Sequence, residues 1–286
     1  MKVIQSFRSD AYKPLVGVVG GTAFLKADLI TAGLSCVLAQ KYIGPVTFYT
    51  DKLGASVVIK AGIPYNEIKV MDYLTDSRVW IEPKLRAYMV QNEPYIHIDN
   101  DMFIYQELTD YTKLPFICAH TESFRWPYYE RYQAVLENIL PGYFPNLIES
   151  YPAFRAPINA AIFGGTEYEE IANASRVIFN TLSDPFFKSM TDDHVDEIKQ
   201  TMPFFEQYWL PIKLHNIGID VKPLLKESSI CFKTPLEVKL THLFGLKYKE
   251  EDLLAHIMQL ITAKLKQIDK NVLNSILEFT NQENTL

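Results

Sequence analysis

A chain of 286 residues with 48% hydrophobic and 22% charged residues is long and apolar enough to bury a large core, which excludes a disordered protein. A formal charge of −6 excludes general nucleic-acid binding, because that needs a basic surface to displace counterions from phosphates. Cys36, Cys118 and Cys231 are odd in number and lack metal-type spacing, so buried thiols, no disulfide and a reducing, cytoplasmic setting are expected.

Val3 and Ile4 open a short strand, and Gln5 and Ser6 follow where the first loop of a parallel sheet commonly meets a nucleotide. The apolar run from Leu15 to Leu25 is too short for a membrane span and is broken by Gly17, Gly20 and Gly21, so neither a signal peptide nor a span is expected. Those glycines have neither dinucleotide nor P-loop spacing and read as a turn. Leu25, Leu29, Ala32, Cys36 and Ala39 recur at helical steps, predicting an amphipathic helix from Ala23 to Tyr42 that Gly44-Pro45 stops. Val46–Thr50 is a β-branched and aromatic strand, and Asp51 is placed to start a helix that Gly62 and Pro64 close. A strand at Ile68–Val70 and a helix from Trp80 to Gln91, with Pro83 in its first turn, continue the alternation. Lys84 and Arg86 on that helix could pair with an anionic ligand.

The next strand, Tyr95-Ile96-His97-Ile98, ends in Asp99-Asn100-Asp101, two carboxylates one residue apart. Crowding two carboxylates is unfavourable unless a cation neutralises them, and the carboxyl end of a strand is where open α/β sheets hold their ligands. A hard divalent ion, Mn²⁺ or Mg²⁺, fits that pair and keeps positions open for phosphate oxygens. The motif therefore reads as a metal and diphosphate clamp.

Phe116–Ala119 is a further strand, Pro127–Leu140 a helix, and the Phe124–Tyr129 aromatic cluster reads as core rather than as a sugar platform. Pro157–Gly165 is a strand of small residues with Asn159 near its start. It ends in Gly164-Gly165, where another group can approach the backbone closely. Helices are expected from Glu167 to Leu182 and from Thr201 to Asn216, the second carrying Glu206-Gln207. His242-Leu243-Phe244-Gly245 and a charged helical segment to Leu286 complete the chain.

The ordered series Asp99-x-Asp101, Asn159, Glu206-Gln207 and His242-x-x-Gly245 resembles nucleotide-sugar-dependent glycosyltransferases of the GT-A fold. It is most similar to the glycogenin and bacterial galactosyltransferase group and a related uncharacterised bacterial family. The resemblance implies an α/β, GT-A-like fold with a mostly parallel sheet flanked by helices. It implies that Asp99, Asp101 and His242 hold Mn²⁺ or Mg²⁺. Gln5, Ser6, Lys84, Asn100, Gly164, Gly165 and Lys247 or Lys249 would contact the nucleoside-diphosphate sugar, with UDP the expected nucleotide. Asn159, Glu206 and Gln207 would handle the sugar, the reacting centre and a hydroxyl acceptor. The chain departs from the family where Tyr208 replaces a second carboxylate after Gln207, and where the family's Pro-Trp after its lysine is absent.

The expected organisation is one glycosyltransferase domain over residues 1–249 and a helical appendage over 250–286. Leu253, Ile257, Ile261, Leu265, Ile268 and Val272 form an apolar seam on the appendage, suited to the parent domain or, in a homodimer, to a second copy. Two other functions fit parts of the pattern: a nucleotide-sugar or carbohydrate-binding protein without turnover, and an Asp-x-Asp phosphatase. The phosphatase motif normally continues to Thr or Val where Phe103 stands.

Overall fold

The structure, a computed structural model, describes residues 1–9, 22–75, 78–111, 113–144, 147–151, 157–225, 240–242 and 251–283. Its strands are β1 (Lys2–Ser6), β2 (Val46–Thr50), β3 (Glu67–Val70), β4 (Tyr95–Ile98), β5 (Met102–Ile104), β6 (Ile117–Thr121), β7 (Ile158–Gly165), β8 (Lys222–Pro223) and β9 (Leu240–His242). The strand order β3-β2-β1-β4-β7-β6-β8 makes the central sheet, and β5 pairs with β9 in a separate ribbon. β1, β2 and β3 pair in parallel, as do β6 and β8, while β6 and β7 run antiparallel. The architecture is mixed α/β with a mostly parallel central sheet flanked by helices. Val3, Ile4 and Gln5 of β1 have no exposed surface, as expected of an inner strand, whereas edge strand β3 carries an exposed Lys69–Glu67 pair at 3.1 Å.

The chain divides into two compact units: Met1–Asp72 with His97–Thr109 and Cys231–Leu286, and Tyr73–Ile96 with Asp110–Ile230. The boundary expected at Lys249 lies outside the described residues, and the helices Glu251–Ile268 and Lys270–Glu283 belong to the first unit.

In that unit the helix Thr22–Tyr42 buries Leu29, Leu34, Cys36 and Leu38. The C-terminal helices lie so close to it that a Cβ on Gly33 would stand 3.0 Å from Ile276 Cδ1 and 3.4 Å from Val272 Cγ1. Ile257, Ile261, Leu265 and Val272 of the expected seam are buried within the chain, and the side chain of Leu253 lies outside the described residues. Asp51 starts the helix Lys52–Lys60 as expected, its Oδ1 accepting Gly54 N at 2.7 Å. Its Oδ2 accepts Ser9 N at 2.7 Å, which ties the segment after β1 to the end of β2.

In the second unit the helix Glu82–Met89 packs on Tyr168–Leu182, which buries Ile171, Ala174, Ile178 and Leu182. The helix expected from Thr201 to Asn216 is three pieces: an α-helix Val195–Pro203, a π-helical turn Phe204–Trp209 and an α-helix Leu210–His215. Prolines are the cause. Pro203 has no N–H for the Lys199 carbonyl, and Trp80 Nε1 donates to that oxygen instead, at 2.8 Å. Within the aromatic cluster Trp126 and Tyr129 are buried, with Trp126 meeting Tyr208 edge-on at 5.3 Å, while Tyr128 is 56% exposed.

Candidate active site

The Asp99-Asn100-Asp101 motif forms the turn between β4 and β5, in the first unit. Met102 N donates to Asp99 O at 3.0 Å and closes the turn. Ser35 Oγ, on the helix Thr22–Tyr42, lies 3.1 Å from Asp99 O and 2.8 Å from Met102 O, and takes a hydrogen bond from Gln5 Nε2 at 2.8 Å. Ser6 Oγ is 2.9 Å from His97 Nε2, and Ser6 O accepts from Asn100 Nδ2 at 3.4 Å. His97 Nδ1 stands 3.7 Å from Asp99 Oδ1, beyond hydrogen-bond reach but close enough for a charge on either to be felt. Gln5, Ser6 and Asn100 thus join the motif through hydrogen bonds, and Ser35 and His97 are members that the sequence did not announce.

Asp99 and Asp101 are half-buried at the turn, and Asn100 Oδ1 is buried with no hydrogen-bond partner among the described residues. β9 pairs antiparallel with β5, and His242 stands opposite Met102, the residue that follows Asp101. The His242 side chain lies outside the described atoms, and among the described residues no three His, Cys, Asp or Glu side chains form a metal-sized cluster. Lys247 and Lys249 also lie outside the described residues.

The remaining candidates belong to the second unit. Glu206 is completely buried; its Oε1 is 3.3 Å from Lys84 Nζ and accepts the Tyr88 hydroxyl at 3.0 Å. The two residues singled out as ligand contacts therefore face each other. Asn159, 1% exposed, donates Nδ2 to Glu122 Oε1 at 2.9 Å, while its Oδ1 accepts Ala161 N at 3.1 Å. Gln207 is half-buried and its Oε1 accepts the Tyr129 hydroxyl at 2.6 Å, which in turn lies 2.9 Å from Glu122 Oε2. Glu122 and Tyr129 were not foreseen, although Glu122 immediately follows a strand, the same position that drew attention to Asp99. At Gly164 and Gly165, with φ of 150° and 149°, the group that approaches closely is protein backbone: a Cβ would collide with the carbonyls of Tyr95 and Pro115.

No curated protein matches the chain in sequence. A solved structure of mouse xyloside xylosyltransferase 1, in its apo form, is similar at 12% identity and a TM-score of 0.34, over 78% of this chain and 84% of that one. That distant likeness carries no chemistry across. The sequence match is broader: residues 1–275 fit one family along almost their whole length, and the chain belongs to that family of unknown function, DUF6734.

Proposed function

We propose that the chain is a metal-dependent glycosyltransferase that moves a sugar from a nucleoside-diphosphate donor, with UDP the preferred nucleotide, to a hydroxyl acceptor. The observation that carries this reading is the β5–β9 register, Met102 opposite His242, which brings the backbone of a distant histidine beside a half-buried Asp-x-Asp turn. Two carboxylates, an amide oxygen and an imidazole are donors suited to Mn²⁺ or Mg²⁺, and the set leaves positions for phosphate oxygens. Asp99, Asp101 and His242 would hold the ion, which when bound supplies Lewis-acid stabilisation of charge on a departing diphosphate. Ser35 and Ser6 hold the turn that presents the carboxylates, and Lys247 or Lys249 would offset phosphate charge. Glu206 is occupied by Lys84, so the acceptor's proton would leave on the departing phosphate rather than on a dedicated base.

A thermal-shift series with UDP and UDP-sugars, with and without Mn²⁺, tests this, since a ligand bound only by the folded state raises stability with the logarithm of its concentration. Metal-dependent stabilisation and slow release of UDP from a UDP-sugar are expected. Asp101→Asn should abolish the effect and His242→Ala weaken it less. The double variant should fall short of additivity, because both residues act on one ion. Unchanged UDP binding in Asp101→Asn would end the metal-clamp reading, and binding without release would make the chain a nucleotide-sugar-binding protein instead.

A further inference from the structure

Gln5 and Ser35 turn their polar groups inward: Gln5 has no exposed surface and Ser35 is 1% exposed. Gln5 Nε2 donates to Ser35 Oγ at 2.8 Å, which fills one lone pair of that hydroxyl. Its single proton is left for two backbone carbonyls, Met102 O at 2.8 Å and Asp99 O at 3.1 Å. Asp99 O already accepts Met102 N at 3.0 Å, so the hydroxyl closes the same turn a second time, from the helix Thr22–Tyr42. This polarity has a cost. Gln5 Oε1 is buried and has no hydrogen-bond partner among the described residues. Turning the amide over would give that oxygen the Ser35 proton and take it from both carbonyls, so the orphaned oxygen is the counterpart of a held turn.

Met102 also stands opposite His242 in the antiparallel ribbon of β5 and β9. One hydroxyl therefore grips the backbone at two places: the Asp99 carbonyl on the turn, and the Met102 carbonyl on the strand that pairs with His242. We propose that Ser35, polarised by Gln5, is a positioning residue that sets the Asp99–Asp101 turn and the β5 backbone beside His242 for a divalent cation. The cation rests on the glycosyltransferase reading; the grip of the hydroxyl on the turn does not. Gln5, Ser35, the turn and β9 all belong to the first unit.

Mn²⁺ titration of the full chain, followed by the electron paramagnetic resonance of the free ion, tests the pair beside urea unfolding and amide hydrogen exchange. Ser35→Ala should weaken Mn²⁺ binding by about tenfold or more, the loss usual for an outer partner of a metal site. Gln5→Met should weaken it by less, yet leave the urea midpoint level or raise it, because the change removes a buried oxygen that has no partner. A packing residue would lose stability along with affinity. In the double variant Gln5→Met should add nothing to Ser35→Ala, since Gln5 acts only through the hydroxyl. The Met102 amide, which closes the turn, should exchange about tenfold faster in Ser35→Ala, the effect of one hydrogen bond. Unchanged Met102 exchange in Ser35→Ala overturns the proposal, and so do additive losses in the double variant. A chain that binds no Mn²⁺ but whose Met102 amide is loosened as expected upholds the hold on the turn and removes the metal-clamp reading.

Discussion

A carboxylate with no exposed surface survives only beside compensating groups, and Glu206 has Lys84 at 3.3 Å and the Tyr88 hydroxyl at 3.0 Å. Removing one partner leaves the other buried and unpaired. Lys84→Met is therefore expected to lower stability by about 3–5 kcal/mol, measured by urea unfolding, and Glu206→Leu by a similar amount. The double variant should recover much of that loss, because two apolar side chains no longer leave an orphaned charge. Additive losses would mean that the two residues do not act as a pair. Lys84 and Glu206 drew attention in the sequence as charges suited to a ligand, and the sequence had no means of joining them, since their pairing depends on how two distant helical segments pack. Glu122 shows the converse limit. A lone glutamate before an aromatic run has no motif, and its weight comes only from burial against Asn159 and Tyr129.

Elements were legible wherever their period was long enough to be distinctive. Val46–Thr50, the helix from the Asp51 cap and the small-residue strand ending at Gly165 lie where alternation, capping and composition predicted them. The ribbon of β5 and β9 was not, because Met102–Ile104 and Leu240–His242 are three-residue strands that take their identity from each other rather than from a local pattern. The seam on the C-terminal helices was legible as a stripe, but not what covers it. Leu265 has no exposed surface and stands close to Gly33 on the helix Thr22–Tyr42, with its Cδ2 3.6 Å from where a Cβ would be. Leu265→Ala should cost about 2–5 kcal/mol in a denaturant titration, the range for a leucine truncated inside a packed core. Deletion after Lys249 should sharply lower soluble yield, by uncovering the apolar face of that helix. An appendage without a packing role would leave both quantities unchanged.

At the scale of the whole molecule, alternation of strands and helices was enough to give the mostly parallel α/β class, whereas the two compact units were not legible. Each is assembled from separate stretches of chain, and the crossings at residues 72–73, 96–97, 109–110 and 230–231 carry no linker composition. Both units bury groups that ionise only in alkali. Burial pushes the thiols of Cys36 and Cys118 up from an ordinary 9.0, and those of the phenols of Tyr95 and Tyr129 up from an ordinary 10.0. Tyr105 is pushed up to about 12 for the same reason. As pH rises past these ordinary values the unfolded chain releases protons that the folded chain retains, so the folded state binds more protons and stability falls. The contribution is fully present below the thiols' unfolded value and declines above it, at about 1.4 kcal/mol per pH unit for each group that has ionised only in the unfolded state. Urea midpoints measured from neutral pH upward should hold level to about pH 8, fall as the two thiols begin to ionise, and steepen near pH 10 when the phenols join. Replacing Cys36 and Cys118 by Ala should remove the first part of that fall and leave the second. A midpoint unchanged through the second range would mean that these phenols are not kept from water in the folded chain.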